Sequence, residues 1–333
     1  MKTPEEVAIE EAHTAACGEG ADTYTDPSTG YMVFTELAHE RRGRCCGNRC
    51  RHCPFGHFNV RSSERTRQPN PGRPTLLRSA PRVRKGSKGS RAAKGGNGGA
   101  GAPTTATGDA DPMDVLFWSG GKDAYLALGA LLQSRYPAGE SAGTVKRSVV
   151  LFTTFDGSSG NVPLRGLGVS EVMDQAKALG LDIMLVPMDT GSNDDYLTSS
   201  LAGIKSLMAQ TGRPVGRLVF GDLHLQDVRA WRDQLFQGNG YDTYYPLFGA
   251  DYCTLQADLF HSVEGKRLHE HLPCPRSVLV SSSGPPATAT STYTPSQAPL
   301  QVGLPFTEDL IQSLPEGTDA MGERGEFHTH VVF

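Results

Sequence analysis

Two clusters in this sequence combine residue types and spacings that can do chemistry. The first is Ser119-Gly120-Gly121-Lys122-Asp123, which follows the apolar run Val115-Leu116-Phe117-Trp118 and precedes Ala124-Tyr125-Leu126-Ala127-Leu128. A buried strand that breaks into a glycine turn and becomes a helix directs backbone N–H groups into one concavity. The positive end of the helix dipole adds to them. Such a cradle suits a phosphate, with Lys122 to neutralise it, Ser119 to donate, and Asp123 to hold Mg²⁺ or fix the turn. It is not a Walker A loop, because G-x-x-x-x-G-K-[ST] is absent from the chain. The second cluster is Cys45, Cys46, Cys50 and Cys53, four of the seven cysteines within nine positions. Thiolates at i, i+4 and i+7 can converge on one metal, with Cys45, His39, His52 or His57 completing the set. Arg44, Arg49 and Arg51 favour the thiolate form. Spacing does not separate Zn²⁺ from an Fe–S cluster. C-x₃-C-x₂-C also occurs in radical-SAM enzymes, but there a β/α barrel follows, and here a polar tether does.

The elements that must position the first cluster alternate strand and helix. Residues 148–155 form an apolar run ending in Asp156-Gly157, 182–187 another, and Arg217 to Asp222 a third that runs into a turn. Between them, helical patterns cover 171–179 and 196–210, and another follows from His224 to Phe236. Short connections of this kind predict an α/β fold whose parallel sheet is covered on both faces. Ligands bind such sheets at the carboxyl ends of the strands. The glycine loop, Thr153-Thr154 and Gly221-Asp222 all follow strand ends and are expected to meet at one rim.

Composition divides the rest. Hydrophobic residues make up 38% of the 333 residues and net charge is −4, so part of the chain is not core and total charge demands no nucleic-acid partner. Residues 1–20 read as a leader and 21–60 as a cysteine-rich module. Residues 61–112 read as a disordered basic linker, with Arg65, Arg67, Arg73, Arg78, Lys85 and Lys94 among Gly, Ser and Pro. Residues 113–333 read as the nucleotide domain, with 281–300 a disordered Ser/Thr/Pro insertion. No apolar run is long enough for a membrane, and no signal or transit peptide is evident, which predicts a cytoplasmic protein with nuclear entry open to the basic linker.

The Ser119–Asp123 loop resembles the PP-loop of ATP pyrophosphatases, usually S-G-G-x-D-S, with Ala124 at the last position. Together with Phe220-Gly221-Asp222, Val228-Arg229, Pro246-Leu247-Phe248, Asp319 and Gly322-Glu323-x-Gly325-Glu326-Phe327-His328-Thr329, it resembles the diphthine–ammonia ligase branch of that superfamily. The resemblance implies a HUP-like nucleotide-binding domain. Its activity would be an AMP-forming ligase that uses ATP and Mg²⁺, adenylates a carboxylate and transfers ammonia, with a translation elongation factor as acceptor. It implies nucleotide contacts at Ser119, Gly120, Gly121, Lys122, Asp123, Thr153, Thr154 and Gly221. The catalytic and acceptor-side candidates are Lys122, Asp222, Arg229, Arg232, Glu326 and His328. Residues 24–57 resemble a small cysteine-rich family without a known activity. Two other readings stay open. One is a PP-loop enzyme that modifies tRNA, pairing the loop with the cysteine metal site. The other is a non-catalytic nucleotide-binding regulator with a zinc module.

Overall fold

The computed structural model describes residues 3–60, 71–79, 111–134, 148–163, 166–270, 272–283 and 300–333. Most of the predicted linker and of the predicted insertion therefore lies outside the described residues.

The first segment, read as a leader, is helical. Thr3 caps helix α1 (Pro4–Gly18) in a reciprocal box with Glu6, and Pro4 sits at its first turn. A hairpin follows, β1 (Thr23–Thr25) and β2 (Met32–Phe34), then α2 (Glu36–Arg42), capped by Thr35 and stopped by Gly43. Helix α1 joins the cysteine module: His13 stacks on His52 at 3.7 Å between ring centroids, and Tyr24 hydroxyl bonds His52 Nε2 at 2.8 Å.

Within the stretch predicted to be linker, β3 (Thr75–Leu77) pairs antiparallel with β8 (below) and forms one edge of the main sheet. Its Leu76 and Leu77 are buried, so two apolar residues in a basic segment suffice to anchor an edge strand.

The main sheet continues with β4 (Met113–Phe117), α3 (Lys122–Ser134), β5 (Ser148–Asp156), a small hairpin of β6 (Asn161–Val162) and β7 (Leu167–Gly168), α4 (Val169–Leu179), β8 (Asp182–Met188), α5 (Asn193–Thr211), β9 (Val215–Val219), α6 (Gln226–Gln237) and β10 (Thr243–Tyr244). Then come α7 (Tyr252–Val263), β11 (Ser277–Ser283), α8 (Glu308–Gln312) and β12 (Phe327–Val332). The six-stranded sheet runs β10-β9-β4-β5-β8-β3, parallel except at β3.

Strand residues alternate between two buried faces, as a covered parallel sheet requires. Val115, Val150, Phe152, Met184 and Val186 pack with Ile204 and Leu207 of α5 and Phe236 of α6. Leu116, Val149, Leu151, Ile183 and Leu185 pack with α3 and α4 through Leu128, Leu131, Val172, Met173 and Ala176. Cys45, Phe55 and Phe58 belong to this second cluster, so the cysteine module is continuous with the sheet through its edge. The chain leaves β4 toward β5 on one side and returns to β9 on the other, which opens a crevice at the carboxyl ends of β4 and β9. Among the described residues no helix is long and apolar enough to cross a membrane.

Candidate nucleotide site and cysteine cluster

The crevice holds a cavity of about 350 Å³, within the usual range for a small-ligand site. Phe117, Trp118 and Ser119 come from the end of β4, Phe152 and Thr154 from β5, Phe220, Gly221 and Asp222 from the end of β9. Tyr196, Trp231, Arg232 and Glu323 close its sides. Three sequence motifs thus meet at one rim.

Gly120 takes φ +80°, and a Cβ there would stand 2.8 Å from Gln175 Oε1. Both facts require glycine. Behind the loop, Gln175 is buried at an apolar-stripe position of α4. It accepts from the Trp118 indole N–H at 2.8 Å, and its amide donates to the carbonyls of Gly120 and Val331 at 2.9 and 2.7 Å. The Val331 N–H also donates to the Gly120 carbonyl (2.9 Å), and the Lys122 N–H donates to Thr329 Oγ1 (3.2 Å). The loop is therefore braced by one helix side chain and by β12. Gly221 lies against the first turn of α3, where a Cβ would meet Asp123 backbone at 3.0 Å. Glycine there lets the end of β9 approach the loop.

Lys122 does not line the cavity. Its side chain is 3% exposed and its ammonium donates to both Asp123 oxygens (2.9 and 3.0 Å) and to the Met321 carbonyl (2.5 Å), beside the rings of Phe306 and Phe327. Its charge acts from behind the loop, and Asp123 is the group that reaches the cavity. Of the two threonines, Thr154 lines it, whereas Thr153 is buried and its hydroxyl donates to the Trp118 carbonyl at 2.6 Å.

On the opposite wall Arg232 Nε meets Asp222 Oδ2 at 2.8 Å, with Nη1 donating to Tyr196 hydroxyl at 3.1 Å and the guanidinium 4.6 Å above the Phe220 ring. Tyr196 stacks on Trp231. Trp231 is a wall of the cavity, and Phe236 is the fully buried residue of α6. Arg229 lies outside: it is 42% exposed, 4.6 Å above Phe248 and 3.8 Å from Asp233. Such a cation over an aromatic face is stabilised where it stands.

The C-terminal motif divides in an unexpected way. Glu326 is structural, since its carboxylate accepts from Asp319 N–H (3.0 Å) and Arg324 N–H (3.1 Å). His328 is on β12 beside Phe327 and Thr329, which are buried; alternation puts it on the other face of the strand from the residue that touches the loop. Neither lines the cavity, and Glu323 does. Burial, with Asp123 and Asp222 nearby, pushes the Glu323 carboxyl up to about 7, against the pull of Lys122. Asp123 and Glu323 supply hard oxygen donors of the kind that bind Mg²⁺ together with substrate phosphates, so the donor set fits that ion. Sequence reasoning missed Gln175 and Tyr196 as site residues, and within the C-terminal motif it chose Glu326 and His328, whereas Glu323 lines the cavity and Thr329 braces the loop. A polar residue on the apolar stripe of a helix was the available signal for Gln175.

In the cysteine module the four thiols lie as two pairs, Cys46–Cys50 at 3.1 Å and Cys45–Cys53 at 3.8 Å between sulfurs. The hydrogen bond from Cys53, and backbone N–H groups of Asn59 and Gly47, pull the Cys45 thiol down to about 5 despite burial. Burial and Cys46 push Cys50 up to about 11. Arg49 and His57 hold positive φ around the cluster, an uncommon conformation for non-glycine residues. The histidines considered as a fourth ligand have other partners: His57 Nε2 bonds the Cys50 carbonyl at 2.7 Å, His52 bonds Tyr24, and His39 has Arg42 at 3.1 Å. The sulfur donors fit Zn²⁺ or an Fe–S cluster in chemical type. Among the described residues, however, no three ligating side chains are gathered about one point, so binding requires the two pairs to close together. None of the seven cysteines lines the nucleotide cavity.

Residues 12–59 match the model of a family of unknown function (DUF5522), which covers the latter part of α1 and the cysteine module. Among solved structures, the chain is similar to the U34-tRNA thiolase NcsA from Methanococcus maripaludis with its [4Fe-4S] cluster, at 16% identity and a TM-score of 0.29. That match covers 51% of this chain and 62% of the thiolase, so this chain spans less than two thirds of that protein's length.

Proposed function

We propose that residues 113–333 form a PP-loop enzyme domain that splits ATP into AMP and pyrophosphate and activates a carboxylate as its adenylate. Ammonia then displaces AMP to form an amide, as in diphthine–ammonia ligation. The observation that carries this reading is one cavity where a braced glycine loop and the start of α3 meet aromatic rings and carboxylates. Loop N–H groups and Ser119 hold the pyrophosphate. Phe117, Phe220 and Trp231 supply flat surfaces for the adenine. Asp123 and Glu323 would hold Mg²⁺, which would supply charge neutralisation for a departing pyrophosphate. The Asp222–Arg232 pair faces the acceptor side, and the elongation-factor acceptor is the choice implied by the C-terminal motif. The soluble cytoplasm is the proposed location.

A second reading, a tRNA-modifying enzyme built on the same loop, is supported by the grouping of four thiols in the adjoining module. Against a direct sulfur role stands the absence of every cysteine from the cavity wall. One assay separates the readings: AMP and pyrophosphate release from ATP and Mg²⁺, with ammonium and, in turn, diphthine-bearing elongation factor and tRNA. ADP as the product sinks both. No AMP with any acceptor leaves a nucleotide-binding regulator. Elemental analysis of the full chain, with visible absorption expected only for an Fe–S cluster, decides between zinc and iron in the module.

A further inference from the structure

We propose that His224, Tyr252 and Asp319 form a proton relay in which His224 Nε2 takes the proton shed by the nitrogen nucleophile, with Tyr252 and Asp319 positioning it. The inference rests on the amide-forming reading and deepens it. None of the three residues lines the nucleotide cavity, yet all three are tied to its acidic end. Leu223 is fully buried and its backbone N–H lies toward the Glu323 carboxyl, where it favours the charged form, so His224 follows directly on a residue near that carboxyl. The Glu323 N–H points at Asp319 Oδ1 (3.4 Å), which also accepts from Met321 N–H (2.8 Å). Asp319 is held again from the other end, because its own N–H donates to Glu326.

The hydrogen-bond directions follow from the partners. Tyr252 hydroxyl is 3.1 Å from Asp319 Oδ2 and 2.6 Å from His224 Nδ1. A hydroxyl has one proton. Giving it to Nδ1 would leave an oxygen lone pair facing a carboxylate; giving it to Asp319 makes a charge-assisted bond. The second arrangement requires Nδ1–H to donate to the tyrosine oxygen. The neutral imidazole then carries its lone pair on Nε2, and the side chain is 39% exposed at that residue. When Nε2 gains a proton, Asp319 Oδ2 is 3.9 Å away to stabilise the cation. Tyr252 itself is unsuited to ionise: burial and the charges of Asp319, Glu323 and Asp123 push its phenol well up.

The step balances without a further reagent. The ammonia lone pair forms the C–N bond at the acyl carbon of the adenylate. The bond from that carbon to the phosphate oxygen breaks, and AMP leaves with the electron pair. The proton lost by nitrogen goes to His224 Nε2 and from there to solvent. His224 is the base, and Tyr252 and Asp319 act through it.

Two measurements test this. Long-range ¹H–¹⁵N correlation on the full chain with ¹⁵N-histidine, assigned by loss of the signal in His224→Asn, is expected to show a neutral His224 with bare Nε2. Tyr252→Phe is expected to move the proton to Nε2. A wild-type ring protonated at Nε2 and bare at Nδ1 overturns the relay. The second is single-turnover amide formation with ammonia or hydroxylamine, using the acceptor that supports a pyrophosphate burst. His224→Asn is expected to slow reaction with ammonia by about 10²–10⁴-fold and to slow hydroxylamine, which sheds its proton more readily, much less. A wild-type burst with equal amide rates in the variant overturns the relay alone. No wild-type burst with any acceptor removes the reading beneath it.

Discussion

Replacing Glu323 by Gln should make the protein more stable at pH 8, although it removes a carboxylate from the site. The carboxyl sits at about 7 instead of its ordinary 4.5 because burial, Asp123 and Asp222 all oppose its charge. Between those two values the folded state keeps a proton that the unfolded chain has released. Stability therefore falls as pH rises through that window and is level above it. A shift of this size corresponds to about 3.4 kcal/mol at about 1.36 kcal/mol per unit. The side chain is partly open to solvent, and screening reduces the effect to roughly 1.5–2 kcal/mol. Gln cannot ionise, so the variant lacks this slope. Urea unfolding followed by tryptophan fluorescence suits the test, because Trp118 and Trp231 both line the cavity. Relative to wild type, the variant is expected to gain roughly 1.5–2 kcal/mol between pH 4 and pH 8. Parallel pH profiles for the two proteins would refute the account of Glu323. The same variant should weaken Mg²⁺-dependent ATP binding most above pH 7, where the wild-type carboxylate is charged.

Gln175→Ala strands the buried indole N–H of Trp118 and removes one of the two donors to the Gly120 carbonyl. It should cost about 1–3 kcal/mol in chemical unfolding and weaken ATP binding by calorimetry. Gly120→Ala meets both a positive φ and Gln175, so a loss of about 1–3 kcal/mol is expected, read as a lower melting temperature. Ala124→Ser adds a hydroxyl to the cavity wall beside the loop; faster AMP formation is expected, and an unchanged rate would remove this position from the phosphate site.

Much of the rim was legible because it is local. Apolar run, glycine turn and helix follow one another without a break from Val115 to Leu128, and Gly221-Asp222 comes just after β9, whereas Thr153-Thr154, expected after a strand end, lies within the last residues of β5. What was not legible depends on long-range contacts. Lys122 reads as a phosphate ligand from its place in the loop, but a carbonyl at Met321 and the neighbouring carboxylate hold it elsewhere. Glu326 and His328 share a motif with Glu323, yet a tight turn and strand alternation send the three side chains in different directions. Strand β3 was hidden because so short a pairing leaves almost no periodic signal among basic residues. The capped helix α1 was readable from Thr3 and Glu6, the box residues themselves, and from Pro4 in its first turn.

The bracing of the glycine loop by β12 also bears on synthesis. The partners Lys122 and Thr329 are 207 residues apart. Strands β4, β5 and β8 and their helices can assemble as they leave the ribosome, since domains fold vectorially during translation. The loop at their rim then waits, with the Gly120 carbonyl lacking its strand partner, until Val331 has been made. A nascent chain would thus have a sheet without a braced glycine loop. On the proposed function, binding of nucleotide becomes a late event in the life of the polypeptide, and it marks molecules whose distant segments have docked.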